Sequence, residues 1–254
     1  MPATVIGVKG LSLGFVGNIS NEGYSLRTPR EVNPTDTLNV AFGETFVLNT
    51  NNTYSSVKQF LLNGSGSILG TSAVGIAVSN VNINPTYNTV GTNDVLTPGG
   101  VYSPGSMMDG LVQGTINVSC NNGTPVAGGP VYMRLAQNAA VPNGVVGGLE
   151  AIADPNPVTA ATLTTTASSA NATVSSGTGI SAGMAVTNAN VPAGTYIKSI
   201  TGTAVVLSQP ASASGSAAAA TFSASILMPN FLWKTGYLES DLTCQVTILA
   251  RQIA

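Results

Sequence analysis

The chain has 254 residues, of which 43% are hydrophobic, 7% charged and 6% aromatic, with no histidine and a formal net charge of −2. Charge-driven disorder, which needs low hydrophobicity and high net charge, is excluded; so is a basic nucleic-acid binder, since phosphate recognition draws on clustered Lys and Arg. Without histidine, Ser-His-Asp and Cys-His chemistry and most zinc sites fall away, because no other side chain titrates unperturbed near neutrality.

The N-terminal residues 1–20 carry one lysine and scattered glycines, without the compact apolar stretch of a signal peptide, and read as an extended arm suited to reaching a neighbour. Mean hydropathy is positive at +0.30, yet apolar residues come in groups broken by Gly, Asn, Ser and Thr. None approaches the roughly 18–20 residues that span a bilayer, so no membrane partner is expected. Strand-like runs follow at Thr37–Phe42, Thr45–Leu48, Val74–Val81, Gly114–Ser119, Val131–Leu135, Met184–Thr187, Tyr196–Ile200, Ala204–Leu207, Thr221–Leu227 and Leu242–Leu249. One helix is expected over Ser55–Leu62, with Ser55 as its cap. Asn-Gly pairs at Asn63, Asn122 and Asn143 mark turns. These elements imply an all-β chain: a small β-barrel or sandwich with long loops.

Between Pro157 and Ser225 the one charged residue is Lys198, and Ala, Ser, Thr and Gly predominate. The hydrophobic positions Met184, Val186, Tyr196, Ile200, Val205 and Leu207 predict a small β module here. The flanking tracts, residues 159–173 and 211–220, read as weakly specified linkers. The sole tryptophan and the closing alternating strand lie after this segment. The scaffold is therefore expected to comprise 1–156 plus 226–254, with 157–225 as an inserted small β domain. Cys120 and Cys244, 124 positions apart, match no disulfide-dense or metal-binding pattern and read as buried thiols of a chain made in a reducing host cytoplasm. Acidic residues are spread singly, so no catalytic, cofactor or metal site is expected; a hydrolase would need a carboxylate pair assembled from distant parts of the chain.

Several motifs, in order, resemble the capsid cement or decoration proteins of tailed bacteriophages: "GFVGNIS" at 14–20, "LNVAFGETFVLN" at 38–49, "AVGIAV" at 73–78 and "YSPGSMMDGLVQGTINV" at 102–118. They continue with "GGPVYMRLA" at 128–136, "GGLEAIAD" at 147–154 and "PNFLWKTGYLESDLTCQVTIL" at 229–249. The 157–225 segment interrupts that pattern and is similar to small β repeats of phage tail and fibre proteins. The resemblance implies a virion structural protein on the capsid surface, a homotrimer whose partner is the major capsid protein, with no nucleic-acid partner. A charge-poor, hydroxyl-rich surface suits that role, because interface cores disfavour ions that must be desolvated. The alternative is a tail or fibre module that binds host-surface carbohydrate, for which the segment offers Tyr196 and Phe222 as aromatic platforms.

Candidate interface residues are Met107, Met108, Arg134, Trp233 and Tyr237. Each has a structural reading as well: gap-filling for the methionines, packing of the closing strand for Trp233, and for Arg134 an ion pair with Glu150 or Asp154 that braces a loop.

Overall fold

The computed structural model describes residues 16–19, 24–69, 72–79, 100–236 and 242–249. The fold is all-β. In chain order the elements are β1 (Leu26–Glu31), β2 (Val40–Ala41), β3 (Thr45–Leu48), β4 (Tyr54–Ser56), α1 (Val57–Asn63), β5 (Ala73–Ala77), β6 (Val101–Tyr102), β7 (Met107–Ser119), β8 (Pro130–Arg134) and β9 (Leu149–Glu150). They continue as β10 (Thr162–Thr165), β11 (Asn171–Val174), β12 (Ala185–Thr187), β13 (Ile197–Thr201), β14 (Ala204–Leu207), β15 (Gly215–Ala219), β16 (Thr221–Ser223), β17 (Ser225–Trp233) and β18 (Thr243–Ile248).

Strand β7 organises the scaffold because its 13 residues serve two parts of one nine-stranded sheet. Its first half lies between β5 and β1, with Leu111 opposite both Ile76 and Arg27. Its second half pairs with β18, Ile116 facing Val246, and bridges to Ile19 on the other side. The handover falls at Gly114, whose φ of 126° is rarely adopted by L side chains and where a Cβ would come within 3.1 Å of the Ser25 Cα. From β18 the order runs β17, β8, β9. Leu149 of β9 then bridges Cys120, just past the end of β7, and Asn121 N–H donates to the Leu149 carbonyl at 3.1 Å. The sheet thus curls back on its own central strand, as a small barrel does, and leaves no open edge there.

The curl encloses Ile116, Val118, Val131, Met133, Leu149, Phe231, Trp233, Cys244 and Val246. A second cluster, including Phe46, Tyr54, Tyr102 and Met108, covers the opposite face of the β3–β5–β7 part. Both faces of β3 are therefore buried, which explains why Thr45, Phe46 and Val47 show no polar alternation.

Within 158–224, a five-stranded sheet of order β13-β14-β11-β10-β15 stacks with the β12–β16 pair over a third cluster made largely of Ala and Val. The two tracts read as linkers contain strands: β10 and the first three residues of β11 fall within 159–173, and β15 within 211–220. The expectation of weak order fails because Leu163, Thr165, Ala172 and Val174 alternate inward, and a core this thin has room only for small side chains. Composition made a small-residue core look like low complexity.

Other departures have local causes. Only Val40–Ala41 of the 37–42 run is strand, because Gln59 Oε1 accepts the Thr37 and Leu38 N–H groups at 3.1 and 3.0 Å and curls that backbone away from a ladder. The helix cap is Ser56, whose hydroxyl accepts the Gln59 N–H at 3.1 Å, while Ser55 accepts from Asn49 Nδ2 at 2.7 Å. Strand β1, Leu-Arg-Thr-Pro-Arg-Glu, escaped the pattern search because polar residues and a proline suit an edge strand but hide its periodicity. The expected strand over 74–81 is β5 up to Ala77; residues 80 and 81 lie outside the described set.

Candidate functional site

Met107 and Met108 enter β7 after the Ser103–Ser106 turn, so the pleat sends them to opposite faces. Met107 is 53% exposed, whereas Met108 is fully buried among Val32, Val40 and Tyr102. Trp233 is buried in the barrel, where its indole N–H meets no acceptor among the described residues. Tyr237 lies outside the described residues, as does most of the 1–20 arm. The described end of that arm runs along β7: Gly17 N–H donates to Asn117 O at 2.8 Å and Asn117 N–H to Asn18 O at 2.9 Å.

Arg134 and Glu150 stand on neighbouring strands β8 and β9, on the outer face of the curl, and both side chains are 0% exposed. The guanidinium meets the carboxylate through two contacts, Nε to Oε1 and Nη2 to Oε2, the latter at 2.9 Å. Arg134 Nη1 also donates to Ala136 O at 3.2 Å, and Asn122 Nδ2 donates to Glu150 Oε2 at 3.4 Å. What buries the pair is the 137–148 loop, which folds over it with Gly144 directly against the guanidinium. Of the two acids named as partners for Arg134, the structure selects Glu150.

Asp154 does something else. Its Oδ2 accepts the Ala224 N–H at 2.7 Å, its Oδ1 accepts Asn138 Nδ2 at 2.7 Å, and its own N–H donates to Ser225 Oγ at 2.8 Å. Two residues beyond Asn156, Val158 and Phe222 exchange both backbone bonds at 2.9 Å. The carboxylate thus clamps the paired strands through which the chain enters and leaves the 158–224 sheet. Nothing in the sequence marked Asp154 for this; an uncharged segment beginning three residues later was the available signal.

The same sheet rests on the α1 side of the scaffold. Tyr196 is fully buried in the scaffold core and donates to Phe60 O at 3.3 Å, and burial pushes its phenol up to about 12. Ile68 N–H donates to Gly194 O at 2.8 Å, and Ser67 Oγ to Ala193 O at 3.1 Å. At the helix C-cap, Gly64 with φ 65° leaves room for the Lys198 stem, which places that segment's one cation beside the helix's negative end.

Two carboxyls are lifted by burial. Asp36 is raised, with Ser55 partly offsetting the cost, and Glu44 is raised to about 7 by desolvation, opposed by the Ala41 N–H bond to Oε2 at 2.9 Å and by Lys58. Among the described residues no three His, Cys, Asp or Glu side chains gather as metal ligands, and no helix is long and apolar enough to cross a membrane. A surface hollow of about 590 Å³ is lined by Ser175, Ser176, Thr178, Ile180, Ile200 and Thr203. Its lining offers hydroxyls but no titratable group, which is a poor basis for bond chemistry.

Of the described charged residues, Arg134, Glu150 and Asp154 are buried and hold neighbouring segments in place, and Asp36 is buried as well. The surface of the described residues is poorer in charge by those four. No curated protein matches the chain. A phage family model described as structural cement protein (E217 gp24/Pam3 gp6) matches residues 2–248, nearly the whole length and across the 157–225 segment. The ordered strand motifs, the all-β scaffold and this match agree: the chain belongs to the phage structural cement protein family, virion structural proteins of the capsid.

Proposed function

We propose that this cement protein binds the outside of the phage head as a homotrimer and locks major capsid protein subunits against internal genome pressure. The observation that carries the reading is the family match over residues 2–248. The physical character of the surface supports it. A protein that stays docked on a lattice gains from contact area that need not shed tightly bound water from ions, and hydroxyl and amide groups hydrogen-bond across such contacts at lower desolvation cost. Four of the scarce charges are buried, and exposed apolar side chains such as Met107, Val126 and Val145 remain for contact.

In this reading the chain divides into a scaffold, 1–156 plus 226–254, and an inserted domain, 157–225, which faces away from the coat because a docked scaffold tolerates added mass most easily on its solvent side. The Asp154 clamp and the Tyr196 seat support that division: the insertion enters and leaves at one point yet is held firmly. Met107 is a contact residue in this reading, while Arg134 holds the 137–148 loop in shape and Trp233 fills the barrel. The protein is made in the host cytoplasm before it joins the head.

Light scattering of the purified protein, followed by co-sedimentation with empty coat shells, tests this. A trimer that binds shells and resists their dissociation is expected; a monomer that ignores shells refutes it. Met107→Asp is expected to weaken shell binding without lowering the melting temperature, since the side chain is exposed and leaves the core untouched.

A further inference from the structure

Cys120 and Cys244 are free and fully buried, and both side chains belong to the barrel core. Their placement is specific. Cys244 lies opposite Val118, while Cys120 N–H donates to the Leu242 carbonyl at 2.9 Å, so the two cysteines sit diagonally on one face of the β7–β18 ladder. Diagonal neighbours across antiparallel strands are within reach of one another, and each thiol shifts the ionisation of the other. A disulfide needs a slightly closer approach than an ideal diagonal gives. Cys120 is where that approach comes easily, since the chain leaves the ladder immediately after it and turns through Asn121, Asn122 and Gly123.

We propose that Cys120 and Cys244 are a redox-closed staple of the barrel: a dithiol while the protein is in a reducing compartment, and an internal disulfide once a low-molecular-weight disulfide is the prevailing oxidant. The Cys120 thiolate attacks one sulfur of that disulfide, forms a mixed disulfide and expels the first small thiolate. Cys244, losing its proton to solvent or to that leaving group, then attacks the Cys120 sulfur, forms the Cys120–Cys244 bond and expels the second. Two protein thiols are oxidised as one small disulfide is reduced to two thiols.

The roles follow from the surroundings. The Cys244 thiol beside it holds Cys120 below the ordinary thiol range, while that neighbour and burial push Cys244 up, so Cys120 supplies the attacking thiolate. Access favours Cys120 too. Its sulfur donates to the carbonyls of Asn122 and Gly123 at 3.5 and 3.7 Å, so only one turn, with Gly123 and Thr124 exposed, separates it from solvent. Cys244 donates inward, to Val118 O at 3.6 Å. The staple closes a chain loop of about 124 residues that contains the whole 158–224 sheet. Loops this long lose the most unfolded-state freedom on cross-linking, which corresponds to a melting temperature raised by roughly 10 °C.

The inference concerns the barrel and stands apart from capsid binding. Purified full-length protein is incubated with glutathione disulfide or with dithiothreitol, then denatured, alkylated and weighed intact. Expected are loss of both alkylatable thiols, an intact mass lower by two hydrogens, a Cys120–Cys244 linked peptide in a non-reducing digest, and a higher melting temperature that dithiothreitol reverses. Cys244→Ala is expected to stop at the mixed disulfide on Cys120 and show no stabilisation. Should that variant fold poorly, the oxidised and reduced forms of the unaltered protein carry the comparison. Thiols that both stay alkylatable, sulfur found only in mixed or interchain disulfides, or an oxidised form that melts no higher overturns the proposal.

Discussion

Glu150→Ala is expected to be among the most damaging single substitutions in this protein, although it removes a side chain from the outer face of a two-residue strand. The change strips its carboxylate from a guanidinium that is 0% exposed in the unaltered protein, leaving Ala136 O at 3.2 Å as its one acceptor among the described residues. Removing one partner of a buried ion pair costs about 3–5 kcal/mol, because the survivor's desolvation is no longer offset. For a chain of this size that corresponds to a fall in melting temperature of roughly 6–20 °C.

The double variant Arg134→Met/Glu150→Leu separates charge from packing. It keeps apolar volume under the 137–148 loop and leaves no stranded ion, so it is expected to recover most of the loss. Urea unfolding of the unaltered protein, both single variants and the double variant gives the coupling directly. A Glu150→Ala loss below about 1 kcal/mol, or a double variant no more stable than Glu150→Ala alone, refutes the argument that an unpaired buried charge dominates.

Other outcomes follow from other contacts. Glu44 is raised from 4.5 to about 7, so between those values the folded state keeps a proton that the unfolded chain has lost. Its contribution to stability is full below about pH 4.5 and falls by about 1–3 kcal/mol as pH rises to 7; Glu44→Gln removes that slope in urea melts, and an unchanged slope contradicts the assignment. Tyr196→Ala empties a fully buried site between the 158–224 sheet and the scaffold, at a cost of about 3–5 kcal/mol. Hydrogen exchange should then rise at Ile68, whose N–H bonds to Gly194; protection unchanged there would mean the two parts are held together elsewhere. Ser56→Ala costs about 1 kcal/mol through the lost helix cap while Ser55→Ala leaves the cap intact, a contrast that thermal melts read directly.

Much of this was legible in the residues. Strand-like runs located β3 and β14 to the residue and most of β8 and β18, because where a strand alternates or lies fully buried its hydrophobic pattern is set locally. The order of strand motifs pointed to the cement family, and the small β module expected in the neutral segment is there as a five-stranded sheet with its own cluster. Arg134 was legible as half of a pair because an arginine two positions after Tyr132 on a strand needs an anion if it is buried, and just two acids stood within twenty residues downstream.

What the chain could not announce was pairing across long separations. The choice of Glu150 over Asp154 depends on β9 lying beside β8 and on the 137–148 loop closing over both, while Asp154 is turned to strands some seventy residues later. The handover of β7 between two parts of one sheet, the return of β9 to Cys120, and the adjacency of two cysteines 124 positions apart are likewise products of topology. The physical reason is common to all of these. Local pattern reflects which side of a strand meets water, and that is written residue by residue. Which strand lies alongside which is decided by where the whole set of buried faces can be satisfied together, and only the folded chain contains that answer.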